Sequence, residues 1–442
     1  MNPTDARGAA AHVLARVFAD GAHASAVLDR AVVELAPRDA ALATELTYGV
    51  LRTEAFLVET ARAYSRRGTL IDHPEALAQL LIAVYSLSFL DRVPPFAAVS
   101  EAVAAIKRLI GDKPAAFANA VLRAYADKLE RRPRPKLADA IFESTPGWLK
   151  GALRASLGRR EAQSFLAAAA TPAPLHLAVG ETELRASTLA ELARSVDQDR
   201  GGTFELGGLS PHAIVARGVS HPRSLPGFEE RWIVQEEGAQ LCALALGDVR
   251  GATVLDACAG RGNKSWLLSH RIGPDGVIAL ADTHPAKLEA FAARDPHVAR
   301  TETHGVDWAA GLGDLAGRTF DHVIVDAPCT GVGTLRRRPE IARQRAPESV
   351  DELAALQLAI LTRVAPLVRP GGTLVYAVCS VLRAECEEVL ARFTSAEPTW
   401  APAPLVDVLP ALVGDDATRA HVRLLPETHG TDGFFFARFR RA

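Results

Sequence analysis

The stretch VLDACAGRGNKS, residues Val254–Ser265, combines three local sequence patterns. An apolar run ends in Asp256, a turn with Gly260 and Gly262 follows, and a helix is predicted to begin near Lys264. Glycine lets a backbone approach a ligand closely, and a helix N-terminus offers free N–H groups. Many nucleotide-binding folds have such a strand, turn and helix, so this loop alone leaves the ligand open.

Similar apolar runs recur through the rest of the chain, with helical stretches between them. They read GVIALAD (276–282), HVIVDAP (322–328) and GTLVYAVCS (372–380). This alternation predicts βαβ units and a parallel sheet covered by helices on both faces. Ligands of such sheets bind at the carboxyl ends of the strands, so the residues that end each run are the candidates for a site.

The next two strand ends after that of Asp256 each provide a candidate carboxylate. Asp282 ends the second strand, where an acid commonly accepts hydrogen bonds from ribose hydroxyls; a helix N-cap is the alternative. Asp307, in HGVDW, would accept a hydrogen bond from an adenine amine, although an exposed loop acid fits the sequence as well. The pattern is compatible with an adenosine-containing cofactor.

The fourth and fifth strand ends each carry a cysteine. Cys329 follows Asp326 and precedes the cationic run Arg336–Arg338, and Cys379 ends the fifth strand. A single cysteine in such a place is most often an inert buried thiol. Two thiols at neighbouring strand tips, one of them beside an acid, instead predict a reactive pair that faces one cleft.

The preceding residues have a different pattern. Helical periodicity runs from residue 5 to about 128, and the basic, proline-containing stretch 128–136 is the best candidate linker. Short strands and helices then mix up to about residue 230. We therefore predict a helical domain (1–138), a small α+β segment (139–230) and an α/β domain (231–442).

Composition narrows the class of protein. The 442 residues are 48% hydrophobic and 23% charged, with a net charge of −2, which is typical of a globular protein with no overall polycationic character. No segment predicts a membrane span or an export signal, so a cytoplasmic protein with reduced thiols is expected. The five scattered cysteines match no common zinc pattern, and we expect no metal. A monomer is the default expectation.

Five motifs resemble those of RNA cytosine-5 methyltransferases. They are VQEEGAQL (234–241), VLDACAGRGNKS (254–265), DAPCTGVGTLRRRPE (326–340), YAVCSVLRAECEE (376–388) and LLPETHGTDGFFFARF (424–439). The stretches DRVPPFAAVSEAVAAIKR (91–108) and FANAVLR (117–123) resemble a NusB-like RNA-binding domain. The order of the domains is that of the bacterial 16S ribosomal RNA methyltransferases of the RsmB (Sun) type. The resemblance implies a Rossmann-like class I methyltransferase domain and small-subunit ribosomal RNA as partner.

The resemblance also implies roles for individual residues. Cys379 would attack C6 of cytosine, Cys329 would assist product release, and Asp326 would hold the cytosine edge. The reverse assignment of the two thiols stays open, since DNA cytosine-5 methyltransferases attack with the cysteine of a Pro-Cys motif. Lys264 is a further pocket residue. S-adenosylmethionine would be bound by Asp256, Cys258, Ala259, Gly260, Gly262, Lys264, Asp282, Asp307 and Asp326.

The cationic run Arg336, Arg337 and Arg338 would contact RNA phosphates next to the target base. A solvated helix start is the alternative for at least one of these arginines. The sequence also departs from the family, because CAGRGNK replaces CAAPGGK: Arg261 replaces Pro, Asn263 replaces a Gly, and Gly260 appears one position early. Cys386 stands at the usual Asn of the second-cysteine motif, and Gly238 replaces Ser in the first motif. We expect cofactor binding to survive with an altered loop geometry.

Three other functions fit parts of the sequence. They are a transfer-RNA cytosine-5 methyltransferase, a NusB-like RNA-binding protein whose methyltransferase domain is inactive, and an amino-directed nucleic-acid methyltransferase. The second has no chemical need for both cysteines and all the acids, and the third lacks its usual Asp/Asn-Pro-Pro-Tyr strand end.

Overall fold

The computed structural model describes residues 5–65, 68–195, 202–219, 222–296 and 298–442. These residues form two compact units. The first comprises residues 1–154, 158–172 and 335–345, and the second comprises residues 155–157, 173–334 and 346–442. No helix among the described residues is long and apolar enough to cross a membrane.

Most of the first unit consists of the helices that come first along the described part of the chain. They are α1 (Ala6–Asp20), α2 (Ala24–Ala31), α3 (Pro37–Arg52), α4 (Glu54–Ala63), α5 (Pro74–Phe89), α6 (Pro95–Ile110), α7 (Asp112–Arg131), α8 (Leu137–Ser144), α9 (Gly147–Leu157) and α10 (Arg159–Ala168). Helix α5 is buried on nearly all sides, as its apolar sequence predicts. Its hydroxyls at Ser86 and Ser88 donate to the carbonyls of Ile82 and Val84, so these buried groups are satisfied.

Helices α8 to α10 group with the first unit, apart from the end of α9, although the sequence assigned them to the middle segment. The hydroxyl of Ser144, the last residue of α8, accepts a hydrogen bond from Phe56 N at 3.0 Å. Ala140 and Ile141 are buried on the same helix. This compact unit therefore extends beyond residue 138, because α8 contacts α4 and buries apolar residues of its own. The division into three domains stays a prediction.

The second unit contains two sheets. The elements around the smaller sheet are β1 (Leu175–Val179), α11 (Arg185–Ser195), β2 (Thr203–Leu206), β3 (Ala213–Arg217), β4 (Trp232–Val234) and α12 (Glu237–Leu244). Strands β1 to β4 form an antiparallel sheet in the order β2-β3-β1-β4. This sheet buries Leu177, Val179, Ile214 and Trp232 against α11.

The larger sheet holds the candidate site. Its first part consists of β5 (Thr253–Asp256), α13 (Asn263–Ile272), β6 (Val277–Asp282), α14 (Pro285–Ala292), β7 (Arg300–Gly305) and β8 (Phe320–Asp326). The chain continues through α15 (Ile341–Gln344), α16 (Pro347–Val364), β9 (Val368–Val378), α17 (Glu387–Ala396), β10 (Trp400–Pro402), α18 (Pro410–Val413), β11 (His421–Leu424), α19 (Pro426–His429) and β12 (Phe434–Arg441). Helix α15 lies in the segment that groups with the first unit.

The strand order of the larger sheet is β10-β12-β9-β8-β5-β6-β7, and β11 also pairs with β12. Strands β5 to β9 are mutually parallel, whereas β12 runs antiparallel to β9. Both faces are covered, because Ile324 of β8 packs into one apolar cluster and Val323 and Val325 into another. The predicted fold class, a helical domain followed by a Rossmann-like α/β domain, is confirmed.

Candidate active site

The carboxyl ends of β5, β6, β8 and β9 meet at one edge of the larger sheet, because these strands are parallel. Asp256 ends β5, Asp282 ends β6 and Asp326 ends β8, while Cys379 follows β9. The order β6-β5-β8-β9 places the β5 loop between the acid of β6 and the two cysteine-bearing tips. The sequence predicted this gathering of strand ends from the alternation alone.

The loop after β5 is held by buried polar contacts. Asp256 is almost fully buried, and its Oδ2 accepts a hydrogen bond from the Ser265 hydroxyl at 2.7 Å. Burial raises the pKa of Asp256 to about 6. Gly262 has a φ of 74°, and an added Cβ there would lie 2.1 Å from the ring of Phe291. Glycine is therefore required where the loop turns into α13.

Asp282 stabilises the same loop from β6. Its Oδ2 accepts from Gly260 N at 3.0 Å, and its Oδ1 accepts from His284 N at 2.8 Å and from Lys287 Nζ at 3.3 Å. Burial by itself would raise the pKa of Asp282, but these donors and the Lys287 charge outweigh it and lower the pKa. A carboxylate that stays ionised at this strand end suits hydroxyl recognition.

The acid that follows the next strand, β7, is more exposed than Asp256 and Asp282. Asp307 is exposed, and its Oδ1 accepts from Ala309 N at 2.9 Å. Its neighbour Trp308 is buried and donates its indole N–H to the carbonyl of Ala257 at 2.7 Å. Trp308 thereby fixes the turn that carries Asp307 against the loop after β5. Trp308 was not among the predicted site residues, although it stands directly beside the candidate acid in HGVDW.

The residues of the β5 loop that depart from the family contact Arg294, which was not among the predicted site residues. The guanidinium of Arg294 donates to Asn263 Oδ1 at 2.7 Å and also to the carbonyl of Arg261. Both contacts lie at the residues that replace the family's Gly and Pro. An added Cβ at Gly260 would meet no atom within 4 Å, so the loop still borders open space. Cys258 and Ala259 are half-buried beside it.

An ion pair between a buried lysine and a half-buried aspartate joins this loop to the cysteine-bearing side. Lys264 Nζ lies 2.5 Å from Asp326 Oδ2, and the lysine is 9% exposed. Burial would lower the pKa of Lys264, but the adjacent Asp326 carboxylate reverses the effect and raises it. Lys264 is thus a fixed cation that faces the acid before Cys329. The sequence named both residues and did not foresee that they pair.

The two predicted thiols lie side by side. Cys329 Sγ and Cys379 Sγ are 3.3 Å apart, and both residues are half-buried. The hydrogen bond with Cys379, together with burial, raises the pKa of Cys329 well above its ordinary value. Cys329 is therefore held as a protonated thiol next to the sulfur of Cys379. The prediction that two strand tips bring these cysteines to one place is confirmed.

Backbone contacts fix the turn behind the thiols. Gly333 N donates to the carbonyl of Cys379 at 3.0 Å, and Gly433 N donates to the carbonyl of Gly333 at 2.8 Å. An added Cβ at Gly333 would lie 1.9 Å from the carbonyl oxygen of Gly433. Three of the quoted motifs therefore meet through main chain alone, and glycine is needed for that approach.

The cationic run belongs to the other compact unit. Residues 335–345 group with the helical unit, where Arg336 donates to the carbonyls of Thr171 at 3.0 Å and Pro172 at 2.7 Å. Arg338 lies 3.1 Å from His23 Nδ1. Arg337 also has a partner. These contacts occupy part of the run within the protein, and its contact with RNA phosphates stays a prediction.

The chain is similar in sequence to known protein families and to individual methyltransferases. Residues 243–440 match a family described as 16S rRNA methyltransferase RsmB/F, and residues 4–127 match the NusB family. The chain is 35% identical to a putative methyltransferase of Mycobacterium tuberculosis, over 99% of this chain and 96% of that protein. It is 32% identical to ribosomal RNA small subunit methyltransferase B of Xanthomonas campestris, over 99% of this chain and 97% of that protein. The chain belongs to the RsmB/F family of 16S rRNA methyltransferases.

A solved structure shows the same fold over nearly the whole chain. The protein PH0851 superposes with a TM-score of 0.78 at 22% identity and covers 99% of both chains. As a member of the RsmB/F family, the protein is an S-adenosylmethionine-dependent RNA methyltransferase. The open space at Gly260, the N-terminus of α13 and the carboxylates of Asp256 and Asp282 fit this cofactor.

Proposed function

We propose that the protein methylates C5 of a cytosine in small-subunit ribosomal RNA through a covalent bond between Cys379 and C6. The observation that carries this proposal is the 3.3 Å approach of the Cys329 and Cys379 sulfurs at neighbouring strand tips. The relatives named as ribosomal RNA small subunit methyltransferase B support the choice of RNA. The NusB-family region supports an RNA substrate as well.

Cytosine C5 is too weak a nucleophile to accept a methyl group unaided. Addition of the Cys379 thiolate to C6 makes the ring enamine-like and turns C5 into a carbon nucleophile. Bound S-adenosylmethionine supplies the methyl group. A base then removes the C5 proton, and the electrons of that bond expel the Cys379 sulfur from C6.

Cys329 and Asp326 have distinct parts in this sequence. The raised pKa of Cys329 keeps an S–H beside Cys379. This S–H donates a hydrogen bond to the sulfur as it leaves C6, which stabilises the developing thiolate. The Asp326 carboxylate accepts hydrogen bonds from the cytosine N4 or the protonated N3, and Lys264 keeps that carboxylate in place. The target base must leave any helix to reach these groups.

A trapping experiment tests both the reaction and the assignment of the thiols. Wild type, Cys329→Ala and Cys379→Ala are incubated with S-adenosylmethionine and small-subunit ribosomal RNA, and a denaturing gel detects protein–RNA adducts. We expect an adduct with Cys329→Ala and none with Cys379→Ala, because only Cys379 makes the bond. Ser187→Ala, which removes an exposed hydroxyl of α11, is the control for the substitution itself and should behave as wild type.

The other outcomes decide against parts of the proposal. An adduct only in Cys379→Ala would reverse the two roles. Methylation of transfer RNA in place of ribosomal RNA would support the transfer-RNA alternative. Tight RNA binding without methyl transfer in wild type would support an RNA-binding protein with an inactive domain.

A further inference from the structure

Glu385 is a buried carboxylate that lies between the two cysteine-bearing tips. It is fully buried, with 0% exposure, in a short turn after β9 (Arg383–Glu385). The reaction described above assigns it no part. It nonetheless belongs to the same quoted motif as Cys379, six residues further along the chain (385 − 379).

The carboxylate of Glu385 contacts the residue that follows each cysteine. Its Oε1 accepts from Thr330 N at 2.7 Å, and its Oε2 accepts from the Thr330 hydroxyl at 2.5 Å. Oε2 also accepts from the Ser380 hydroxyl at 2.6 Å. Thr330 follows Cys329 and Ser380 follows Cys379, so one side chain holds both tips.

The carboxylate is itself fixed from a third side. Gln357 Nε2, on α16, lies 3.1 Å from Glu385 Oε1 and 2.9 Å from the carbonyl of Pro328. The Tyr376 hydroxyl lies 2.9 Å from Gln357 Oε1 and 2.6 Å from the carbonyl of Glu385. Because Gln357 and Tyr376 belong to α16 and β9, the position of the carboxylate is set by the scaffold and not by the loops that it holds.

The chemistry of this cluster argues for a positional role. A buried carboxylate is costly to desolvate, and apolar residues fill such a space at a lower cost in free energy. Four donors at 2.5–3.1 Å satisfy both oxygens of Glu385. What the carboxylate provides, and an apolar side chain does not, is a bridge of fixed length between two otherwise separate loops.

We propose that Glu385 is a positioning residue that sets the spacing of the Cys329 and Cys379 thiols. The inference rests on the proposed function for the parts that the two thiols play. The spacing itself is a property of the protein without RNA or cofactor. Glu385 never touches the cytosine, so its effect must pass through Thr330 and Ser380.

A trivalent arsenical measures the spacing directly. Phenylarsine oxide bridges two adjacent thiols: two As–S bonds form, the As–O bond breaks, and the oxygen leaves as water with both thiol protons. Peptide mass spectrometry identifies a Cys329–Cys379 bridge among the five cysteines. Competition with a small dithiol then gives the affinity of the arsenical for the Cys329–Cys379 pair in the full-length protein.

Three substitutions separate reach from charge. Glu385→Gln keeps the length of the side chain, and its amide can donate to the two hydroxyls while its oxygen accepts from Thr330 N. Glu385→Asp keeps the charge but is one methylene too short to reach both tips. Glu388→Asp makes the same change in an exposed acid that pairs with Arg383, and serves as the control.

We expect wild type, Glu385→Gln and Glu388→Asp to bind the arsenical equally, and Glu385→Asp to bind about tenfold more weakly because preorganisation is lost. In methyl transfer, Glu385→Asp should lower kcat with little change in KM, and Glu385→Gln should restore kcat. Thr330→Val removes one bridging hydroxyl at constant shape and should act in the same direction, so the test survives if Glu385→Asp does not fold.

Equal arsenical affinity in wild type, Glu385→Asp and Thr330→Val would overturn the positional role. A loss in Glu385→Gln as large as in Glu385→Asp would also overturn it, since charge and not reach would then matter. If the arsenical results follow the expectation but no form methylates RNA, the spacing role stands and the proposed function fails.

Discussion

The two halves of the candidate site are held together by different means. On the cofactor side, the loop between β5 and α13 begins and ends at the buried Asp256–Ser265 contact. Its turn is held at Gly260 by Asp282 and at the exposed Asn263 by the half-buried Arg294. On the cysteine side, the tips of β8 and β9 are joined by buried side chains and by main-chain contacts at Gly333.

This difference matches the chemistry that each half performs. A cofactor is recognised through many contacts, so a loop that changes by one or two residues can still bind it. Two thiols that must act on the same carbon–sulfur bond need a fixed spacing, and small displacements at reacting atoms are costly in rate. Of the family departures, Arg261 and Asn263 fall in CAGRGNK on the cofactor side. On the cysteine side, Asp326 to Cys329 reads as the family does, although Cys386 replaces the usual Asn of the second-cysteine motif.

The largest expected effect follows from closing the space at Gly333. In Gly333→Ala the new Cβ would lie 1.9 Å from the Gly433 carbonyl oxygen, and both partners are backbone. We expect a destabilisation of at least about 3 kcal/mol, together with loss of methyl transfer, because the cysteine-bearing turn must move. Thermal unfolding and a methyl-transfer assay measure the two effects.

Gly208→Ala is the matched control for this substitution. An added Cβ at Gly208 meets no atom within 4 Å, and it should change neither the melting temperature nor the activity by more than the error. Wild-type behaviour of Gly333→Ala would show that the cysteine side is as adaptable as the cofactor side, and the comparison would fail.

A smaller effect is expected on the cofactor side, and it has the opposite sign for stability. Burial raises the pKa of Asp256 to about 6 from an ordinary value of 3.8. The native state therefore binds a proton at Asp256 more readily than the unfolded chain does. Because of this, the free energy of unfolding falls as pH rises from about 4 to 6. The difference amounts to about 3 kcal/mol above that window.

Asp256→Asn should therefore raise the melting temperature at pH 8 and leave it almost unchanged at pH 4, while it weakens S-adenosylmethionine binding. Asp275→Asn, an exposed acid of the same unit, controls for the loss of one carboxylate. A gain in stability that is equal at both pH values would show that ionisation of Asp256 is not the cause.

The sequence predicted the fold and the site to different depths. Strand ends are local features, so alternation and turn residues were sufficient to place Asp256, Asp282, Asp326, Cys329 and Cys379 at one edge. The Lys264–Asp326 pair and the Glu385 bridge depend on which strands are neighbours. Which strands are neighbours is not a local property. A single sequence shows that these residues are present but not which of them contact each other.

The segment 335–345 shows the same limit in another form. Three arginines beside a candidate nucleophile predicted RNA contact, and electrostatics alone supports that interpretation. The structure engages Arg336 with backbone carbonyls of Thr171 and Pro172, more than 160 residues away in sequence (336 − 172 = 164). The sequence does not distinguish an arginine that donates to backbone carbonyls of its own chain from one that binds an RNA phosphate.

The smallest expected effect concerns Arg294, the partner of the two residues that depart from the family. Its guanidinium is half-buried, and it donates to Asn263 Oδ1 and to the Arg261 carbonyl, but to no residue of the cysteine side in the part of the chain described here. In Arg294→Ala we expect less than about 1 kcal/mol of lost stability, because a single hydrogen-bonding side chain of this kind contributes little.

The effect of Arg294→Ala should appear instead in cofactor affinity, measured by calorimetric titration, as a several-fold rise in the Kd of S-adenosylmethionine. The arsenical affinity of the Cys329–Cys379 pair should stay at its wild-type value, because the Glu385 bridge is intact. If Arg294→Ala also weakened the arsenical bridge, the two halves of the site would be mechanically coupled through the Lys264–Asp326 pair. The contrast between an adaptable cofactor loop and a rigid thiol pair would then be one of degree only.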